Sequence, residues 1–67
     1  MAQIIFNGES RPVSPGATVA DLLGELGLNS RQVAVEVNLD LVPRALHGAH
    51  QLDDGDHVEV VSLVGGG

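Results

Sequence analysis

Apolar and polar positions alternate loosely over residues 3–7, with Ile4 and Phe6 on one side of an expected strand. Asn7-Gly8 follows, and both residues tolerate a positive φ, so a tight hairpin turn is expected there. The return strand, residues 9–13, carries Pro12, which cannot donate to a ladder and confines the strand to a sheet edge. Ser14-Pro15-Gly16-Ala17 reads as a turn. Thr18 then opens a helix, and with Asp21 three residues on it makes a capping box in which Asp replaces the usual Glu. Val19, Leu22, Leu23 and Leu26 form one apolar stripe at i, i+3, i+4 and i+7. Gly27 is placed to end the helix in the left-handed conformation. Gly24, inside the helix, costs about 1 kcal/mol relative to alanine, and a close approach of another backbone is the reading that would account for it.

The period changes after the helix. Residues 33–37 (VAVEV) place three valines on one face of a central strand. Asn38-Leu39-Asp40 turns the chain, Leu41-Val42 is a brief extended piece, and Pro43 ends it. Residues 44–51 show no clear period and read as loop or a helical turn. Asp53-Asp54-Gly55-Asp56 is a tight turn. The last strand, residues 57–64, turns Val58 and Val60 inward and His57 and Glu59 outward. The order hairpin, helix, strand, short strand, strand has no repeat and no linker, and specifies one α+β unit.

Composition narrows what such a unit does. With 67 residues there is room for one thin core, which favours a carrier, adaptor or binding role over a stand-alone enzyme. The net charge is −6, and a single aromatic residue, Phe6, offers no stacking platform. Phosphate backbones would repel the chain, so nucleic acid is not expected as a partner, and a protein with a basic face is. No apolar run is long enough for a bilayer and no secretory signal opens the chain, so no membrane partner is expected and a cytoplasmic location is. There are no cysteines, hence no thiol chemistry.

Few motifs carry chemistry. His47-Gly48-Ala49-His50 has metal-ligand spacing but no third donor nearby; the histidines are read as exposed loop residues and no metal is expected. The aspartates around Gly55 lack the closing glutamate of a calcium loop. Phosphate-binding glycine loops and nucleophile triads are absent, so any nucleotide chemistry belongs to a partner. What remains is the ending, Gly65-Gly66-Gly67 after an apolar strand. The expectation is a domain over residues 1–64 and a glycine arm over 65–67, ending in a free α-carboxylate. Extended, three residues reach about 10 Å, thin enough to enter another protein's active site.

Taken together these residues resemble the thiamine-biosynthesis sulfur-carrier family, small members of the ubiquitin-like β-grasp superfamily. The resemblance runs end to end. It is carried by Asn7-Gly8, the helix start at residues 17–23, the strand over residues 33–38, Val42-Pro43-Arg44, Asp54-Gly55-Asp56, residues 58–61 and Val64-Gly65-Gly66-Gly67. It implies a mixed sheet of four to five strands on one main helix, with the first and last strands parallel neighbours. It implies a protein co-substrate rather than an enzyme, with no cofactor of its own. The Gly67 carboxylate would be adenylated by an ATP-using, E1-like adenylyltransferase and become a thiocarboxylate with sulfur from a cysteine desulfurase. It would then donate that sulfur to thiazole synthase. Gly65 and Gly66 would give access, and Val61, Leu63, Val64 and Arg44 are the expected docking residues, although spacing alone favours Arg44 as a plain surface cation. Two alternatives share the activation step: a ubiquitin-like modifier and a molybdopterin-type sulfur carrier.

Overall fold

The computed structural model describes residues 1–63. Five strands, β1 (Ala2–Phe6), β2 (Glu9–Val13), β3 (Val33–Val37), β4 (Asp40–Val42) and β5 (His57–Ser62), and one helix, α1 (Val19–Glu25), are joined by loops with short 3-10 turns at Ser30–Gln32 and Arg44–Leu46. The strands form one sheet in the order β2-β1-β5-β3-β4. β1 and β5 pair in parallel, with Ile5 beside His57 and Phe6 beside Val58; the other pairs are antiparallel. The expected mixed sheet on one helix is therefore present, with Pro12 on an edge strand. The last strand is shorter than its apolar pattern, ending at Ser62, and Val64 lies outside the described residues.

Local chemistry sets the corners. Asn7 (φ 47°) and Gly8 (φ 86°) both adopt left-handed conformations, as a two-residue hairpin turn requires. Asn38 (φ 52°) and Leu39 (φ 72°) repeat that geometry between β3 and β4. Asn7 does more than turn the chain. Its Oδ1 accepts from Val60 N at 2.9 Å and its Nδ2 donates to Val60 O at 3.3 Å, so the side chain bridges to the middle of β5.

The helix is closed at both ends. Thr18 Oγ1 accepts from Asp21 N at 3.1 Å, and Asp21 Oδ2 accepts from Thr18 N at 2.9 Å, completing the capping box. At the other end Gly27 (φ 70°) donates to Gly24 O at 3.1 Å while Leu28 N donates to Leu23 O at 2.8 Å, the paired bonds of a Schellman stop. Gly24 itself departs from expectation: a Cβ there would meet nothing within 4 Å. No backbone approaches it, so Gly24→Ala is expected to stabilise the domain by about 0.5–1 kcal/mol, read as a rise in the denaturation midpoint. A loss of stability would show that some contact of the glycine does matter.

The helix buries Val19, Leu22 and Leu23 against Ile4, Val35 and Val58. Val42 and Leu52, on either side of the stretch with no readable period, complete this core. Three backbone bonds lash that stretch to the helix start: Val19 N to His50 O, Ala20 N to His47 O, and Leu52 N to Ala17 O. One consequence corrects the reading of the histidines. His47 is buried, 4% exposed, and its Nε2 lies 3.1 Å from Val42 O. A carbonyl only accepts, so Nε2 carries the proton in this contact. His47 is a core residue tying a loop to β4, because the folded segment turns its ring inward where no sequence period could show it.

The acidic turn is likewise more than a solvated corner. Asp54 Oδ1 accepts from Gln3 N, Asp56 Oδ1 accepts from Asn38 Nδ2, and Asp56 O accepts from Ile5 N, each within 2.9 Å. These bonds knit the start of β5 to β1 and to the β3–β4 turn.

Candidate functional site at the root of the C-terminal arm

β5 lies in the middle of the sheet, paired on both sides. Its alternation buries Val58 and Val60 and leaves His57, Glu59 and Val61 on the face away from the helix. Beyond Ser62, Leu63 N still donates to Gln32 O at 2.8 Å. The chain is thus held up to Leu63 by a strand that is hydrogen-bonded on both sides.

The β3–β4 hairpin returns to the same place. The register pairs Val35 with Val42, so the segment just after β4 comes back beside the start of β3 and hence beside Leu63. Arg31, Leu41, Pro43, Arg44, His47 and Leu63 line an open groove of about 250 Å³ there. Leu63 is 65% exposed and Leu41 is equally so. Two of the expected docking residues, Leu63 and Arg44, therefore meet in one groove. Val61, also exposed, stands on the open sheet face opposite Ala34 and does not line the groove. Val64, Gly65, Gly66 and Gly67 lie outside the described residues.

Arg31 and His47 were not foreseen. Hairpin arithmetic holds a signal for Arg31: extending the β3–β4 register sets residue 44 opposite residue 33, two residues from Arg31. The buried histidine left no such trace.

Two larger hollows, of about 340 and 380 Å³, lie elsewhere. The first opens at the far end of the same face among Glu36, Asn38, Leu39, His57 and Glu59, so size does not mark the arm root. Among the described residues no group of three or more His, Cys, Asp or Glu is placed to hold a metal ion, and no helix is long and apolar enough to cross a membrane.

The model of the ThiS family matches residues 4–67, nearly the whole chain. The chain belongs to the ThiS family. A ThiS sulfur carrier protein of Escherichia coli is 32% identical over 65 residues, covering 97% of this chain and 98% of the relative. The crystal structure of a thiamine biosynthesis protein (ThiS) of Geobacter metallireducens superposes with a TM-score of 0.82 at 31% identity, over 97% of this chain and 99% of that one. The β-grasp sheet expected from the resemblance is thus shared with a solved member of the ThiS family. A thiazole synthase of Paramagnetospirillum magneticum is 48% identical over 65 residues, which is 97% of this chain and 20% of the synthase. The chain spans about a fifth of that protein's length.

Proposed function

We propose that the chain is a sulfur carrier of thiamine biosynthesis and a protein co-substrate with no catalytic residue of its own. The observation that carries this is the family match reaching Gly67, together with full-length similarity to a sulfur carrier protein. A carboxylate oxygen of Gly67 attacks the α-phosphorus of ATP held by an E1-like adenylyltransferase, and pyrophosphate leaves. Sulfur drawn from the persulfide of a cysteine desulfurase, and reduced to the sulfide level by a thiol that leaves as a disulfide, attacks the acyl carbon. The carbon–oxygen bond to AMP breaks and a thiocarboxylate remains. That nucleophilic sulfur is then given up to thiazole synthase, and the similarity to a segment of proteins of that name supports this recipient.

The chain contributes presentation. Glycines at 65 and 66 make an arm without side chains, so a narrow channel admits it. β5 fixes where the arm starts, and Leu63, Val61 and Arg44 are contacts beside that start. The absence of cysteine and lysine leaves no thiol or side-chain amine in the chain for its own activated terminus to acylate. ATP belongs to the partner, and the chain binds no cofactor.

Intact-mass measurement of protein taken from thiamine-starved cells tests the reading. The expected result is a form heavier by the exchange of one oxygen for sulfur, with the change mapped to the peptide containing Gly67. Conjugates to lysines of other proteins, with no sulfur exchange, would instead identify a modifier and sink the carrier reading.

A further inference from the structure

Two of the three arginines meet at the arm root, in a chain with nine acidic residues, and neither has an acidic partner among the described residues. The ion pair that is described, Arg11 to Glu25 at 3.9 Å, uses the third. The backbones that carry the two are held in place. Asn29 Oδ1 accepts from Arg31 N at 2.9 Å, and the next residue, Gln32, accepts from Leu63 N. Arg44 follows Pro43, and the buried ring of His47 anchors that corner to Val42 O.

We propose that this groove is a carboxylate-binding cleft that takes an aspartate or glutamate side chain of the adenylating enzyme, held by the guanidinium groups of Arg31 and Arg44. The proposal rests on the carrier reading above. Guanidinium groups pair with carboxylates through two parallel hydrogen bonds, a geometry that fixes orientation as well as affinity. Leu41, Pro43 and Leu63 surround the charges with apolar surface, so a docked carboxylate would be partly shielded from water.

Charge along the open face explains what such a cleft adds. Glu36 and Glu59 are direct cross-strand partners and share that face, farther from the arm. The bonds from Asn38 N to His57 O and from Leu63 N to Gln32 O place this pair at a hydrogen-bonded step of the ladder, with Cα atoms about 5.5 Å apart. Like charges set so close are unfavourable in the free protein and suit a basic partner. The face is therefore polar along β5: cationic at the arm root, anionic about 10–20 Å away at roughly 3.3 Å per residue. A partner with an acid to match the cleft and bases to match the glutamates accepts the arm in one orientation. Reversed docking sets acid against acid, and such repulsion is what excludes wrong poses. The cleft is assigned to docking and not to the nucleotide, because four residues can span up to about 13–14 Å.

The chain has no lysine, which permits a direct test. Arg31→Lys and Arg44→Lys each introduce a single side-chain amine, and Arg11→Lys is the control. Each variant is mixed with the E1-like adenylating enzyme of the same genome and treated with a zero-length carbodiimide, and crosslinks are mapped by mass spectrometry. Amide bonds from residue 31 or 44 to an aspartate or glutamate of the enzyme are expected, with none from residue 11. In parallel, Arg31→Ala and Arg44→Ala should each weaken binding about tenfold, while Arg11→Ala changes it less than about twofold. Circular dichroism confirms that each variant folds. Wild-type loading with no crosslink from either position, and alanine variants that bind as wild type, overturns the cleft and leaves the carrier reading standing. Crosslinks from residue 44 to this chain's own C-terminal carboxylate overturn it too, by showing that the arm is the occupant. A wild-type chain that the enzyme neither binds nor adenylates overturns the carrier reading and the cleft with it.

Discussion

Gly66→Val should slow adenylation and thiocarboxylation of Gly67 by at least about a hundredfold, the scale on which misplacing a reacting group by an ångström acts, while leaving the melting temperature unchanged. The two halves have separate causes. Stability is unaffected because the described core lies entirely between Ile4 and Val60. Loading fails because a β-branched side chain widens the arm and restricts its backbone, so the carboxylate cannot reach the nucleotide in line for attack. Thermal denaturation followed by circular dichroism reads the first half, and intact mass after incubation with the adenylating enzyme, ATP and a sulfur source reads the second. A variant loaded at the wild-type rate would mean that the arm is not threaded through a confined channel. A variant that melts early would mean that Gly66 belongs to the folded domain.

Leu22→Ala should be the most damaging single truncation in the domain. Leu22 is 1% exposed and projects from α1 into the core cluster with Ile4, Val35 and Val58. Deleting such a side chain costs about 2–5 kcal/mol, counting both lost transfer energy and the cavity left behind. A domain of this size has roughly 3–10 kcal/mol in total at 0.05–0.15 kcal/mol per residue, so much of the margin goes. A loss of 3 kcal/mol corresponds to a fall in melting temperature of about 12–24 °C. Denaturant titration gives the value directly. A cost below about 1 kcal/mol would show that the helix and sheet can close over the gap, and that the packing is looser than the burial of Leu22 implies. Because the helix covers one face of β5 and β3, the same variant should lose partner binding in proportion to the fraction unfolded.

Much of this architecture is readable before folding, because its determinants are local. The Asn7-Gly8 turn needs only two residues tolerant of positive φ, and the Thr18–Asp21 box only a spacing of three. The stripe Val19, Leu22, Leu23 and Leu26 needs only the helical period, and Pro12 on an edge follows from a missing N–H. The candidate site is a harder case. Gly65, Gly66 and Gly67 stand out in the sequence by composition, and Arg44 by the Val42-Pro43-Arg44 run. Gly24 misled because a costly residue invites a reason, and the structure offers open space instead.

The sequence by itself determined the hairpin, the helix with its caps, the central strand and their order, since each depends on neighbours within a few positions. Only the tertiary structure decided what long-range pairing brings together. Asn7 reaches 53 residues along the chain to bond Val60. His47 is drawn into the core by a loop with no period of its own. Arg31 and Arg44 meet beside Leu63 because β4 returns along β3, which pairs with β5. Contacts of that kind arise from strand register and helix docking, which are set by burial summed over the whole chain, so no short stretch of residues encodes them.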